Sequence, residues 1–448
     1  MPASNISNRI VTLDKSTSSS GAEDVDVRTR SPKSYRTVPI MTVSRSTTHT
    51  PSFVSSSSNT FPILASFIAN LGIKVCTGMS ARVIAKAGLP VNFTNGGKST
   101  LNFHSMADAA DIFPVDNGYV YVSNSEVDSG GGGVYGLYFD NDGNIMDYKR
   151  LLSGTSRNCG GGRTPWGTWI SCEEHASGQC WQVDPKNQIQ SAQTLLGGGG
   201  GNYESAAVDN RNSSKPIFFI TEDSSAGALR RYTPPDATPI GWSSLTATGG
   251  NTSYLKFTNT THFTWTTNKA EAQTSQSTYY PNVEGIDFYN GHLYFVSKVL
   301  KKLFALDMDN GNYTTSLTSN WGNPMPGGGA FNSQPDQIVR SGEYLYFTED
   351  GGSTAGVYAA HTSTGAKSAV FEAISNLYSS DETTGLAFSP DGKRMYASFQ
   401  DCVYLGLCTT SLNCGCLFEF TRVDGKSFDG SKLDLKYHAP EASATLFS

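Results

Sequence analysis

Residues 158–174, NCGGGRTPWGTWISCEE, put a glycine hinge, two tryptophans, Cys172 and the adjacent acids Glu173 and Glu174 into one short stretch. Aromatic and β-branched residues alternate through 166–171, which predicts a strand delivering Cys172 and Glu173 to its far end. A thiol beside carboxylates is a poor nucleophile, because neighbouring negative charge raises its pKa, but it suits a metal-bound thiolate. Taken alone, Cys172 reads equally as a structural or disulfide-bonded cysteine. Alternation along a strand sends Glu173 and Glu174 to opposite faces, so both cannot join the same site. Four further acids stand at the openings of short apolar runs: Glu204 in YESAAVD, Glu284 in VEGIDF, Asp336 in PDQIV and Glu382 in DETTGLAF.

Positioning these residues together requires a repeat. After residue 100 a two-strand pattern recurs at 118–126 with 134–139, 167–174 with 180–183, 216–223 with 228–232, 292–298 with 302–306, 344–350 with 356–360, and 394–401 with 416–420. Such units cannot each bury an apolar face alone, whereas a ring of sheets buries them all against neighbours. The expected fold is all-β, a six-bladed β-propeller. DNDG at 140–143, DNG at 309–311 and SPDG at 389–392 are turn signatures expected to close outer hairpins. The expected propeller domain spans 71–448, with rim insertions near 233–280 and 401–416.

The first strand of each blade lines the central channel, so Glu204, Glu284, Asp336 and Glu382 should converge there. Like charges a few ångströms apart do not all stay ionised unaided, so the site asks for metal cations. Oxygen ligands alone suit calcium; a Cys172 thiolate among them brings in a transition metal such as iron. Glu126, Glu222 and Glu349 end second strands and read either as an outer layer of the site or, preferably, as solvated rim charges.

Composition narrows the partners. The formal charge is −6 and no Lys/Arg cluster appears, which excludes nucleic acid as an expected partner. Charged residues make up only 16% and there are 46 glycines, favouring a turn-rich β protein over a helical one. The cysteines at 402, 408, 414 and 416 have no His neighbour and no CxxC pairing, so disulfides are preferred there over zinc. Residues 1–70 read as a disordered or targeting segment: Ser/Thr-rich, without a core pattern, and too acidic at Asp14, Glu23, Asp24 and Asp26 for a good transit peptide. The apolar run 61–72 resembles a signal core but is too short to span a bilayer and lies far from the start. With N-x-S/T sites at Asn5, Asn92, Asn212, Asn251, Asn259 and Asn312, the expectation is a secreted or extracytoplasmic monomer with no stable membrane span.

At VSNSE (122–126), RNCGGGRTPWGTWISCEE (157–174), VEGIDF (283–288), PDQI (335–338) and ETTGLAFSPDG (382–392), the chain resembles the PhoX family of alkaline phosphatases, specifically its shorter members. The likeness extends over about residues 100–425. It implies a propeller with an iron and calcium cluster in its channel, hydrolysing small-molecule phosphate esters outside the cytoplasm. By the same resemblance Cys172 is the iron-bridging thiolate, and Glu204, Glu284, Asp336 and Glu382 hold iron and calcium. One position departs: Asn282 stands where the larger relatives carry a phosphate-clamping arginine, and an amide lacks that charged fork. Arg157 or Arg163 remains to meet an anion, and Arg157 is taken with Cys172 as the catalytic pair. The expected function is a metal-dependent phosphomonoesterase. The alternatives are a calcium-binding propeller without turnover and a lactonase-like metal hydrolase.

Overall fold

Strand Gly118–Ser125 buries every one of its residues, and Tyr344–Asp350 all but the last. A strand covered on both faces needs a layer on each side, which a lone hairpin cannot supply. The computed structural model describes residues 66–68, 72–76, 78–319, 321, 331–352, 354–373, 382–400 and 415–428. Among these, the strands group into antiparallel units, two of them joined in one nine-stranded sheet. They begin with the innermost strands Ala107–Val115, Asn158–Arg163, Gly201–Asp209, Val283–Tyr289, Gln334–Ser341 and Thr383–Phe388. Each innermost strand packs beside the next, and Thr383–Phe388 returns to Ala107–Val115, so the units close a ring. The fold is an all-β propeller.

The ring is fastened by the start of the chain. Met79–Lys86 pairs with Cys416–Arg422 as the outer strand of the last unit, and Ile73–Val75 pairs with Lys367–Ala373 in the unit before it. Apolar layers then fill the spaces between units, as where Phe399, Phe418 and Phe420 of the last unit meet Phe371 of its neighbour. The interval 233–280 holds strands Asn251–Phe257 and Phe263–Thr266 and helix Lys269–Tyr279, whose N-cap Asn268 accepts a hydrogen bond from the Ala270 N–H. Tyr280 and Phe257 anchor that excursion to the fourth unit through Phe304.

Two of the turn signatures close outer hairpins, Asp140–Gly143 and Asp309–Gly311, whereas Ser389–Gly392 joins the innermost strand of its unit to the second. No helix among the described residues is long and apolar enough to cross a membrane. Residues 1–65 and 401–414 lie outside the described residues, as do the expectations placed on them. Cys416 is disulfide-bonded, in keeping with the reading of the C-terminal cysteines. A cavity of 870 Å³ runs along the innermost strands, lined by Ala110, Gly162, Ala207, Asp287 and Arg340 among others.

Candidate metal centre

Period-two alternation commits the side chains of an innermost strand to its two sheet faces, so a residue that enters the channel must leave the alternation. The device is a β-bulge, which leaves an extra residue unpaired and turns it out of the alternation. Pairing of the innermost strand to its neighbour skips between Ala107 and Ala110, Asn158 and Gly161, Tyr203 and Ala206, Val283 and Ile286, and Pro335 and Ile338. The first residue inside each skip is Asp108, Cys159, Glu204, Glu284 and Asp336 in turn. In the last unit the skip falls between Thr384 and Ala387, where Gly385 stands at φ 61, and Glu382 enters from just upstream, bridged to Asp350.

Second-strand threonines satisfy freed backbone groups of these bulges. Thr221 accepts from the Ser205 N–H at 2.8 Å and Thr348 from the Gln337 N–H at 2.8 Å. Glycine follows the bulged residue where strands run closest: a Cβ on Gly160 would lie 2.1 Å from the Glu204 carbonyl oxygen, and one on Gly285 2.6 Å from that of Asp336.

The result is one continuous donor cluster. Ligand atoms of Asp108, Glu126 and Cys159 lie within 4.8 Å of one another, and so do those of Cys159, Glu174 and Glu204, of Asp108, Asp336 and Glu382, and of Glu204, Glu284 and Asp336. Asp108, Cys159, Glu204 and Asp336 each belong to two of these groups, which links them. The four acids expected to meet do so. The thiol brought to them is Cys159 rather than Cys172. Cys172 lies in an apolar layer with Ile170, Leu196 and Phe218, its Sγ 3.6 Å from that of Cys180. The reason is positional: Cys159 occupies the bulge of the innermost strand, whereas Cys172 sits on the second strand, Trp169–His175, facing the packing layer.

The adjacent acids divide as alternation requires. Glu174 joins the cluster, while Glu173 accepts from the Ser156 and Gln179 N–H groups and the Trp181 indole at 2.8, 3.1 and 3.1 Å. Glu126 also enters the cluster, so it is not a rim charge. Glu222 and Glu349 are buried too, accepting backbone N–H groups of Ala228 and of Asn332 and Ser333.

Electrostatically the cluster is a set of crowded, buried acids. Glu204 is fully buried and neither of its carboxylate oxygens has a hydrogen-bond partner. Burial, then neighbouring acids, pushes the carboxyls of Asp108, Glu204 and Glu382 well above their ordinary range. The same causes hold Glu174 and Asp336 up at about 7. Burial first, then Asp108 and Glu204, likewise raises the Cys159 thiol. Amides cover one flank: Gln337 donates to Asp108 at 2.7 Å, and Gln400 donates to Glu126 at 2.8 Å.

Two cations border the ring. Lys298 Nζ lies 2.6 Å from Glu284, 2.8 Å from Asp223 and 3.5 Å from Asp350. Arg157 reaches Glu126 at 2.8 Å and also pairs with Glu174. Arg157 stands two residues before Cys159 just as Asn282 stands two before Glu284, and both hold left-handed backbones, φ 48 and 53. The side chain of Asn282 donates to Asp223 at 2.7 Å. Arg163 is bound away from the cluster, to Asp111 and the Ile112 carbonyl.

Residues 147–203 match the family model described as alkaline phosphatase PhoX. That segment carries Arg157, Cys159 and Glu174. In fold the chain is similar to Pseudomonas fluorescens PhoX, solved in complex with vanadate, a transition state analogue, with a TM-score of 0.60 and 15% identity over 80% of this chain and 97% of that one. The chain is PhoX-like. It is also similar to virginiamycin B lyase from Staphylococcus aureus (TM-score 0.40, 14% identity, 77% of this chain and 99% of that one). A further likeness is to the Cps50 (Swd1) β-propeller domain of Myceliophteria thermophila (TM-score 0.39, 10% identity, 70% and 97%). No curated protein sequence matches the chain. At 15% identity the likeness to PhoX speaks for the propeller alone, and any chemistry rests on this chain's own cluster.

Proposed function

We propose that this chain is a metal-dependent phosphomonoesterase acting outside the cytoplasm on small-molecule phosphate esters. Its cations, iron and calcium, would be held by Asp108, Glu126, Cys159, Glu174, Glu204, Glu284, Asp336 and Glu382. The observation that carries this reading is Glu204, fully buried with both oxygens unpartnered at the junction of two ligand groups. A buried, unpartnered carboxylate costs several kcal/mol, on the order of that for a bare ion, unless a cation or a proton meets it. The donor set fits both metals: carboxylates for hard calcium and one thiolate for a softer transition ion. Bound there, the cations would supply the charge that offsets a phosphoryl-transfer transition state and lowers the pKa of water.

The chain's own contribution is orientation. Arg157 is held between Glu126 and Glu174 while its side chain stays 40% exposed, which leaves guanidinium N–H groups open to a phosphoryl oxygen. Arg157 thus offers, from the second unit, the guanidinium that Asn282 lacks in the fourth. Lys298 adds a second positive group; against the cost of burial, Glu284 and Asp223 keep its ammonium charged. Burial of the cluster at the strand starts keeps bulk water from competing for these groups.

The test is hydrolysis of p-nitrophenyl phosphate by the full chain loaded with calcium and iron. Activity should vanish on chelation and in Cys159→Ala, and persist in Cys172→Ala. Absence of hydrolysis by the loaded wild type, or a Cys159→Ala chain as active as wild type, overturns the reading.

A further inference from the structure

We propose that Cys172 and Cys180 form a disulfide that closes the hairpin beside the metal centre. The two residues are direct partners on antiparallel strands Trp169–His175 and Cys180–Val183. In such a ladder, directly opposed pairs alternate between hydrogen-bonded and non-hydrogen-bonded, and the latter bring their side chains closer. The Glu173 N–H donates to the Gln179 carbonyl at 2.8 Å, which makes 173 and 179 a hydrogen-bonded pair. Cys172 and Cys180 are therefore a non-hydrogen-bonded pair. The other flank agrees: the Cys180 carbonyl is turned outward, accepting from the Thr194 N–H at 2.9 Å and its hydroxyl at 2.8 Å.

Both sulfurs point into one apolar layer. Each cysteine is fully buried, and Ile170, Leu196, Tyr203 and Phe218 surround the pair. Their Sγ atoms stand 3.6 Å apart as thiols, so side-chain rotation without strand movement closes the gap to a bond, about 2.05 Å. In bond formation each thiol loses a proton, the two sulfurs join, and two electrons pass to an incoming disulfide. That oxidant is of the thiol-oxidase or oxidised-glutathione class, and it leaves as two thiols. Because the finished layer covers both sulfurs, the bond forms as the hairpin folds.

The bond would leave Cys159, which faces carboxylates and no second sulfur, as the thiol available to cations beside this hairpin. It would also pin the strand that carries Glu174 into the cluster.

The full chain is produced through an oxidising secretory route, denatured, alkylated without reduction and digested with trypsin. Residues 164–186 contain no internal cleavage site, so one peptide carries both cysteines. The expected peptide is unalkylated and lighter by two hydrogens than its reduced form. In parallel, reductant should lower the melting temperature of wild type by a few degrees more than that of the Cys172→Ser/Cys180→Ser chain, on the order expected for closing a short loop. The Cys416 disulfide is common to both chains and cancels in the comparison. A peptide alkylated at both positions, or either cysteine linked elsewhere, overturns the proposal.

Discussion

Cys159 and Cys172 are both buried thiols of one motif, yet one faces carboxylates and the other an apolar layer. The sequence reading favoured Cys172 because the strand before it alternates cleanly and acids follow it. Cys159 lies in a glycine run that carries no periodicity. A signal was nevertheless present: Cys159 is followed by Gly160 as Glu284 is followed by Gly285, and in both cases the glycine makes room for the next strand's carbonyl. Asp108 was missed for a related reason, since Ala109 and Ala110 look like ordinary core. Arg157, expected to meet an anion, pairs with Glu126 and Glu174, and its left-handed backbone at φ 48 resembles that of Asn282 at φ 53. Charge-assisted contacts of this kind contribute about 1.5–3 kcal/mol. Arg157→Met should therefore raise KM for p-nitrophenyl phosphate roughly tenfold or more while bound metal is retained. Steady-state kinetics with parallel metal analysis checks this; an unchanged KM would remove Arg157 from substrate binding.

At the scale of the strand, the hairpins were legible because each second strand is an unbroken apolar run with a turn behind it. The bulges were not, because a bulge interrupts the alternation by which strands are recognised. Its reward is functional: the shifted residue, otherwise committed to a sheet face, enters the channel. Gly160 tests this directly. Its missing Cβ is the space taken by the Glu204 carbonyl, 2.1 Å from where that atom would sit. Gly160→Ala should force the two innermost strands apart, costing about 1–3 kcal/mol, the usual range for overpacking, and weakening metal retention. Urea denaturation of both chains measures the cost. A midpoint equal to wild type would mean that the strands do not approach so closely.

Across the whole molecule, the propeller was foreseeable from the recurring hairpins, but its fastening was not. Met79–Lys86 is a modest strand whose role appears only against its distant partner, Cys416–Arg422. Stability of the ring should carry a pH signature from His104, buried between Tyr148 at 2.9 Å and Ser123 at 3.0 Å. Burial lowers its pKa to about 3. Between that value and an unfolded pKa of about 6.5 the unfolded chain binds the extra proton. The contribution is thus complete above pH ~6.5 and is lost as pH falls toward 3, at about 1.4 kcal/mol per pH unit. Urea unfolding at pH 6.5, 5.5 and 4.5 should show this slope in wild type relative to His104→Gln; equal slopes would contradict it. The raised acids of the cluster contribute with the opposite sign but are common to both chains. The central claim is that bulged residues of successive strands hold cations. Elemental analysis of the full chain, produced with calcium and iron and dialysed against metal-free buffer, tests it most directly. The prediction is tightly held calcium and iron in wild type, largely lost in Glu204→Gln with circular dichroism unchanged. A metal-free wild type, or a Glu204→Gln chain that keeps its full complement, would contradict the account.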